Sequence, residues 1–76
     1  MKRQLIEIAR NINGIEFDAL LKLCKETFPR RKYEAYSLRK DIEGRTRYVI
    51  KYNLTMEEYN TLCEKWEAIQ WTQLLN

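Results

Sequence analysis

Residues 33–54, YEAYSLRKDIEGRTRYVIKYNL, decide the fold that we predict for this chain. Apolar and polar residues alternate on both sides of residues 41–44, and period-two alternation rich in Tyr, Ile and Val is typical of β-strands. Residues 41–44 are Asp-Ile-Glu-Gly. An Asp at the first position and a Gly at the fourth suit a type I turn followed by a glycine bulge. The stretch therefore predicts an antiparallel β-hairpin.

The turn also predicts the register of this hairpin. If Asp41 pairs with Arg45, the numbers of paired residues sum to 86, and Tyr36 lies opposite Ile50. The residues of the predicted apolar face are Tyr36, Leu38, Tyr48, Ile50 and Tyr52. The alternative is a helix over residues 31–42, which uses its own apolar residues at helical spacing.

The opposite face of the predicted hairpin is basic. Residues 29–53 carry eight Lys or Arg against three Asp or Glu, a local net charge of +5, whereas the whole chain has +3. In the predicted register Arg39 faces Arg47, and directly opposed like charges cost up to about 1 kcal/mol. A sequence that keeps this pair suggests a functional use. The predicted anion-contacting residues are Arg30, Arg31, Lys32, Arg39, Arg45, Arg47 and Lys51. The alternative is that these charges protect exposed strand edges.

A helix is predicted over residues 3–12, where Leu5, Ile8, Ala9 and Ile12 recur at helical spacing. Gly14 suits the left-handed residue that ends a helix. Asn13 also suits the N-cap of the following helix, together with Glu16. The sequence leaves open whether Asn13 belongs to the end of the first helix or to the start of the second.

Two further helices are predicted on stronger signals. The helix over residues 16–28 ends near Thr27, because Pro29 disfavours helical backbone in the residue before it. The helix over residues 55–75 starts with a capping box of Thr55 and Glu58. The predicted fold is α+β, a single domain over residues 1–76 in the order αα-ββ-α, with two N-terminal helices, a two-stranded hairpin and a long C-terminal helix.

The composition argues against catalysis. The chain of 76 residues has no histidine, which removes the commonest general base and metal ligand. Cys24 and Cys63 fall on apolar helix stripes and are expected to be buried and inert, with a disulfide between them possible but not needed. We expect no catalytic residues, no cofactor, no metal and no small-molecule substrate. A histidine-free ribonuclease toxin is the disfavoured third possibility.

The predicted function is regulatory binding to nucleic acid, or to another anionic surface, through the basic hairpin. Tyr33, beside three basic residues, is the one tyrosine with a plausible role in base stacking. The competing prediction is a protein-binding inhibitor or adaptor that contacts an acidic protein surface, of the small kind that phages and mobile elements encode. Trp71 and Leu75 are predicted interface residues and allow a homodimer. With two cysteines and no apolar run of membrane length, we expect a cytoplasmic protein that makes no membrane contact.

Overall fold

A computed structural model describes the backbone of residues 2–75 and the side chains of residues 2–70. The element order is β1 (Gln4–Ile12), α1 (Gly14–Thr27), β2 (Tyr33–Ser37), β3 (Tyr48–Leu54) and α2 (Met56–Leu75). In this part of the chain the strands form one antiparallel sheet in the order β1-β3-β2. The helices pack on one face of the sheet, and the buried core consists of Leu20, Cys24, Ile50, Tyr52, Leu54 and Leu62. Among the described residues, no helix combines the length and the hydropathy that a membrane span requires.

The predicted order αα-ββ-α is wrong at its first element, because residues 3–12 do not form a helix. This segment is the edge strand β1, which pairs antiparallel with β3 along its length. The pairing register shifts twice, between Glu7 and Ala9 and between Arg10 and Ile12. A third strand on the free side of β3 satisfies backbone groups that a two-stranded hairpin leaves unpaired.

The two shifts explain why β1 resembles a helix in sequence. Each shift inserts one extra residue into the strand. As a result, Ile6, Ala9 and Ile12 pair with alternate residues of β3, although they are themselves three apart. Apolar residues spaced by three imitate helical periodicity. The second shift contains Asn11, whose φ of 60° lies in the left-handed region that Asn tolerates better than most residues.

The predicted second helix is present, and its start settles the role of Asn13. The Asn13 side chain accepts a hydrogen bond from the Glu16 backbone N–H at 2.8 Å and donates one to the Glu16 carboxylate at 2.8 Å. Asn13 is therefore the N-cap of α1. The helix ends at Thr27, as Pro29 predicts.

The capping box of the C-terminal helix is also confirmed. The Glu58 N–H donates to Thr55 Oγ1 at 3.2 Å, and the Thr55 N–H donates to Glu58 Oε1 at 3.0 Å. Leu54, just before the cap, is fully buried. The buried Leu54 side chain and the capping box together fix the start of α2 directly after the end of β3.

The predicted turn between β2 and β3 is present. The Gly44 N–H donates to the Asp41 carbonyl at 2.9 Å, and the Asp41 N–H donates to the Arg45 carbonyl at 2.9 Å. Gly44 has a φ of 81°, which favours glycine. The pairing of Asp41 with Arg45 is the one that the sequence predicts.

The predicted register of the strands beyond the turn is wrong by one residue. The Leu38 N–H donates to the Arg47 carbonyl at 2.6 Å, and Tyr36 pairs with Val49 instead of Ile50. Two residues lie between Leu38 and Asp41, but only one lies between Arg45 and Arg47, so the first arm contains one extra residue. A slip of one residue moves every side chain to the other face. Tyr36 and Leu38 therefore do not share a face with Tyr48, Ile50 and Tyr52.

Candidate functional site

One face of the sheet is not covered by the helices, and we call it the open face. Strand alternation places it opposite to the core residues of β3. The open face carries Leu5, Glu7, Arg10, Glu34, Tyr36, Val49, Lys51 and Asn53. Val49 in its centre is nevertheless fully buried. The register aligns Glu7, Lys51 and Glu34 in one row across the sheet, and Arg10, Val49 and Tyr36 in the next. The predicted basic face therefore also contains carboxylates.

Lys51, one of the predicted anion-contacting residues, lies between the carboxylates of its row. Its Nζ lies 5.8 Å from the centre of the Tyr36 ring, within the range of a cation–π interaction. Glu7 is paired with Arg10 at 2.7 Å. This hydrogen bond from Arg10 lowers the pKa of Glu7 and raises the pKa of Arg10. Because Arg10 already neutralises Glu7, the charge of Lys51 is offset less than its position between two carboxylates implies.

Arg31 is not available as an anion-binding residue. Its guanidinium donates two hydrogen bonds to the Glu58 carboxylate, at 2.9 and 2.6 Å, and a third to the Asn53 carbonyl at 3.2 Å. It also lies 5.6 Å from the centre of the Phe28 ring. The hydrogen bonds from Arg31, followed by that from the Thr55 N–H, lower the pKa of Glu58 to about 2. The glutamate of α2 neutralises this cation, so its predicted contact with an external anion is not supported.

Arg45 and Arg47 are also paired within the chain. Both contact Asp41 Oδ2, at 3.2 and 3.1 Å, and Arg45 further contacts Glu43 at 2.8 Å. The backbone N–H of Arg45 is the largest cause of the lowered pKa of Asp41, and the Arg47 side chain adds to it. The predicted opposition of Arg39 and Arg47 is wrong, because Leu38 is the residue opposite Arg47.

The remaining predicted cations are unpaired and lie near the two ends of β2. Arg30 and Lys32 precede the strand, Arg39 follows it, and all three side chains are exposed. In the described part of the chain none of them forms an ion pair. The exposed Lys40 beside Arg39 was missed, because strict alternation assigns it to the apolar face. The sequence signal for Lys40 is its position next to Arg39. This signal becomes visible if the segment between β2 and the turn is allowed one extra residue.

The two tyrosines of β2 lie on opposite faces of the sheet. Tyr33 is the tyrosine for which the sequence leaves a role in base stacking plausible, but its ring already stacks on Tyr52, with centroids 4.9 Å apart and an interplanar angle of 8°. Lys25 lies over the same ring at 5.4 Å. Tyr36 was predicted for the core, but it lies on the open face and is 40% exposed. Tyr33 is equally exposed, at 42%, and has Lys25 over its ring, so Tyr36 differs from it in lying on the open face beside Lys51.

The cysteines behave as buried or partly buried thiols. Cys24 is fully buried, and burial raises its pKa to about 12. Cys63 is half-buried, and both thiols are free. Within residues 2–70 no group of three or more Cys, Asp or Glu side chains is arranged to hold a metal ion. The predicted interface residues Trp71 and Leu75 lie outside the residues whose side chains the structure describes.

Comparison of the chain with protein-family models, with curated proteins and with solved structures finds no match. The geometry of the described residues is therefore the basis for the functional proposals.

Proposed function

We propose that this chain is a small binding protein that contacts the phosphates of single-stranded nucleic acid along β2. The observation that carries the proposal is the set of basic side chains around β2 that form no ion pair with a carboxylate of the described residues. Arg30 and Lys32 stand before β2, Arg39 and Lys40 stand after it, and Lys51 lies on the adjacent strand. A row of cations that follows one strand matches the linear array of phosphates in a single strand of nucleic acid.

Tyr36 adds a stacking surface in the middle of this row. Its exposed ring lies on the open face, with the Lys51 ammonium 5.8 Å from its centre. Proteins that bind single strands without sequence preference combine a basic path with aromatic rings on which bases stack. The row offers no set of amide or guanidinium groups aimed at base edges, since its arginines stand at the strand ends. Binding should therefore be weak, dependent on salt and tolerant of sequence.

The carboxylate of Glu34 limits the affinity. It lies on β2 directly opposite Lys51 and forms no ion pair among those of the described residues. A carboxylate in the middle of the row repels phosphate, so only the two ends of β2 and Lys51 provide attraction. This arrangement favours a short site, near the lower end of the roughly 4–16 nucleotides that a single-strand-binding module covers.

The test is a titration with a labelled twelve-nucleotide oligo-dT and oligo-U at several salt concentrations. We expect micromolar dissociation constants that increase steeply with salt. An Arg39→Ala/Lys51→Ala variant should bind at least about tenfold more weakly. Its salt slope should fall by about 1.4, since each phosphate contact on a single strand contributes about 0.7.

The matched control removes the same charge from the helices. Lys22 and Lys65 are exposed on α1 and α2, and a Lys22→Ala/Lys65→Ala variant should bind as the unchanged protein does. If the unchanged protein fails to bind either oligonucleotide at 50 mM salt, the proposal is wrong. It is also wrong if the control variant loses as much affinity as the β2 variant.

A second candidate is the protein-binding inhibitor or adaptor. Two exposed isoleucines at the hairpin turn and the start of α1 favour it. Ile42 is fully exposed at the tip of the turn, and Ile15 is 85% exposed in the first turn of α1. An open groove of about 590 Å³ lies between these elements, lined in part by Ile15, Arg45 and Tyr48. Affinity capture tests this candidate. It is supported if repeated captures with the unchanged chain recover one protein and captures with the Ile15→Ser/Ile42→Ser variant do not recover it.

A further inference from the structure

The two edges of the sheet differ in their ability to accept another strand. β1 forms one edge, and its pairing is interrupted by two register shifts. Such irregularities twist an edge and hinder further pairing. β2 forms the other edge, and it pairs with β3 without a shift from Tyr33 to Ser37. β2 is therefore the edge with regular backbone geometry.

The hydrogen bonds to β3 show which backbone groups of β2 point outward. The Asn53 N–H donates to the Lys32 carbonyl at 3.0 Å, and the Leu38 N–H donates to the Arg47 carbonyl. Even-numbered residues of this strand therefore direct their backbone groups toward β3. In an antiparallel ladder the alternate residues direct theirs to the other side. The N–H and C=O groups of Tyr33, Ala35 and Ser37 line the outer edge.

We propose that β2 pairs antiparallel with β2 of a second copy of this chain, about a two-fold axis at Tyr33. In this register the two Tyr33 residues form a hydrogen-bonded backbone pair. Lys32 of each copy lies opposite Glu34 of the other, and it does so twice because the pairing is symmetric. The ladder is limited to residues 31–35 of each copy, because Tyr36 falls opposite Arg30, whose φ is 66°, and Ser37 falls opposite Pro29, which has no N–H. This short junction joins the two three-stranded sheets edge to edge.

Charge complementarity selects this register. The row of Glu7, Lys51 and Glu34 on the open face ends at the β2 edge with a carboxylate. The proposed pairing adds Lys32 of the second copy to that row, so the signs of charge alternate across the junction. Cross-strand pairs of opposite charge stabilise a sheet. Lys32 and Glu34 form no ion pair among the described residues of one chain, so both remain available.

The aromatic residues on the helix-covered face agree with the same register. Tyr33 stacks on Tyr52 within one chain at 4.9 Å. The proposed axis places Tyr33 directly opposite Tyr33 of the second copy, and aromatic cross-strand pairs are favourable. Lys25, whose Nζ lies 5.4 Å from the centre of the Tyr33 ring, is beside the same junction. An axis at Ala35 instead places the two Glu34 carboxylates diagonally across the junction and Lys32 opposite Leu38. That register loses both the charge pairs and the aromatic pair.

Protection of the edge by charge explains only part of the pattern. Exposed edges are guarded by short strands, by Pro and by charged side chains, Lys especially, and Lys32 is of this kind. Here Lys32 and Glu34 have opposite signs, and the chain register with β3 places both on the open face. Two residues of opposite sign, two positions apart, are complementary to their own copy in an antiparallel arrangement.

The test measures molar mass by sedimentation equilibrium from about 5 to 500 µM, without nucleic acid. We expect the unchanged chain to shift from monomer to dimer over this range. Lys32→Glu alone and Glu34→Lys alone should each raise the dissociation constant at least about tenfold, because each converts two attractive pairs into repulsive ones. An equimolar mixture of these variants should dimerise again, since one copy then presents two carboxylates and the other two ammonium groups.

The matched control is Lys22→Glu, which makes the same change of charge on the exposed face of α1. It should leave the dissociation constant within about twofold of the unchanged value. A monomer at every concentration overturns the proposal, and so does a mixture of the two variants that stays monomeric. A dimer that all three substitutions affect equally overturns the register. In the dimer Lys32 is paired with Glu34 of the second copy, which leaves Arg30, Arg39, Lys40 and Lys51 as the cations for phosphate. The nucleic-acid proposal is tested with Arg39 and Lys51 substitutions in oligonucleotide titrations, so either proposal can fail alone.

Discussion

Substitution of Asn11 tests whether residues 3–12 form a bulged strand. Asn11 has a φ of 60°, and its side chain is exposed. The left-handed conformation costs a residue with a Cβ about 1–2 kcal/mol relative to glycine. Against this, glycine loses about 0.4–1 kcal/mol more than alanine through the entropy of its unfolded chain. The difference predicts that Asn11→Gly is more stable than Asn11→Ala by about 0.5–1 kcal/mol.

A helix over the same residues predicts the opposite order. In a helix interior, alanine is more stable than glycine by about 1 kcal/mol. The sign of the difference between the two Asn11 variants therefore distinguishes the two folds. For a domain of 60–100 residues, 0.5–1 kcal/mol corresponds to about 2–8 °C in Tm. Thermal unfolding followed by circular dichroism, with urea unfolding as a second measurement, resolves this difference.

Lys22 is the matched control for this experiment, because it is exposed within α1. There we expect Lys22→Ala to be more stable than Lys22→Gly by about 1 kcal/mol. The same assay should thus report opposite signs at the two positions. If Asn11→Ala is the more stable of the Asn11 pair, the assignment of β1 as a strand with a left-handed residue is refuted.

Two further predictions concern the ion pair at the start of α2 and the thiols. Because Arg31 holds the pKa of Glu58 near 2, below its ordinary value of 4.5, the stabilisation from this pair should be complete above about pH 4.5 and decline as the pH falls toward 2. Urea midpoints should show this decline in the unchanged chain and a smaller one in Glu58→Gln, and parallel curves would contradict it. A thiol reagent should modify Cys63 well before Cys24, because Cys24 is fully buried and its pKa is raised to about 12. Equal rates for the two cysteines under native conditions would contradict the burial.

Hydrogen bonds between residues close in sequence account for the features that the sequence predicts correctly. Thr55 and Glu58 cap α2, and Gly44 completes the turn. The Asn13 cap of α1, which the sequence offers as one of two alternatives, is equally local. In each case the groups that form the hydrogen bonds lie within three or four residues of one another. Such interactions have the same geometry in a short segment as in the folded chain, so local sequence predicts them.

The strand register and the identity of β1 depend on contacts that are distant in sequence. Ile6 pairs with Tyr52, and Ala9 pairs with Ile50. The extra residues that shift these pairings leave no local signal, because a bulge is stabilised by the partner strand. For the same reason the sequence predicts the turn but not the slip between Leu38 and Asp41. That slip reverses the face on which Tyr36 lies.

The sequence by itself determined where α2 begins, where α1 ends and where the chain turns, because those choices depend on groups a few bonds apart. It also determined that cations concentrate in residues 29–53. Only the tertiary structure decided which of these cations remain unpaired, since the partner of Arg31 is Glu58, 27 residues away. Ion pairing depends on distance in space, and Arg31 meets Glu58 only when the segment before β2 lies beside the first turn of α2.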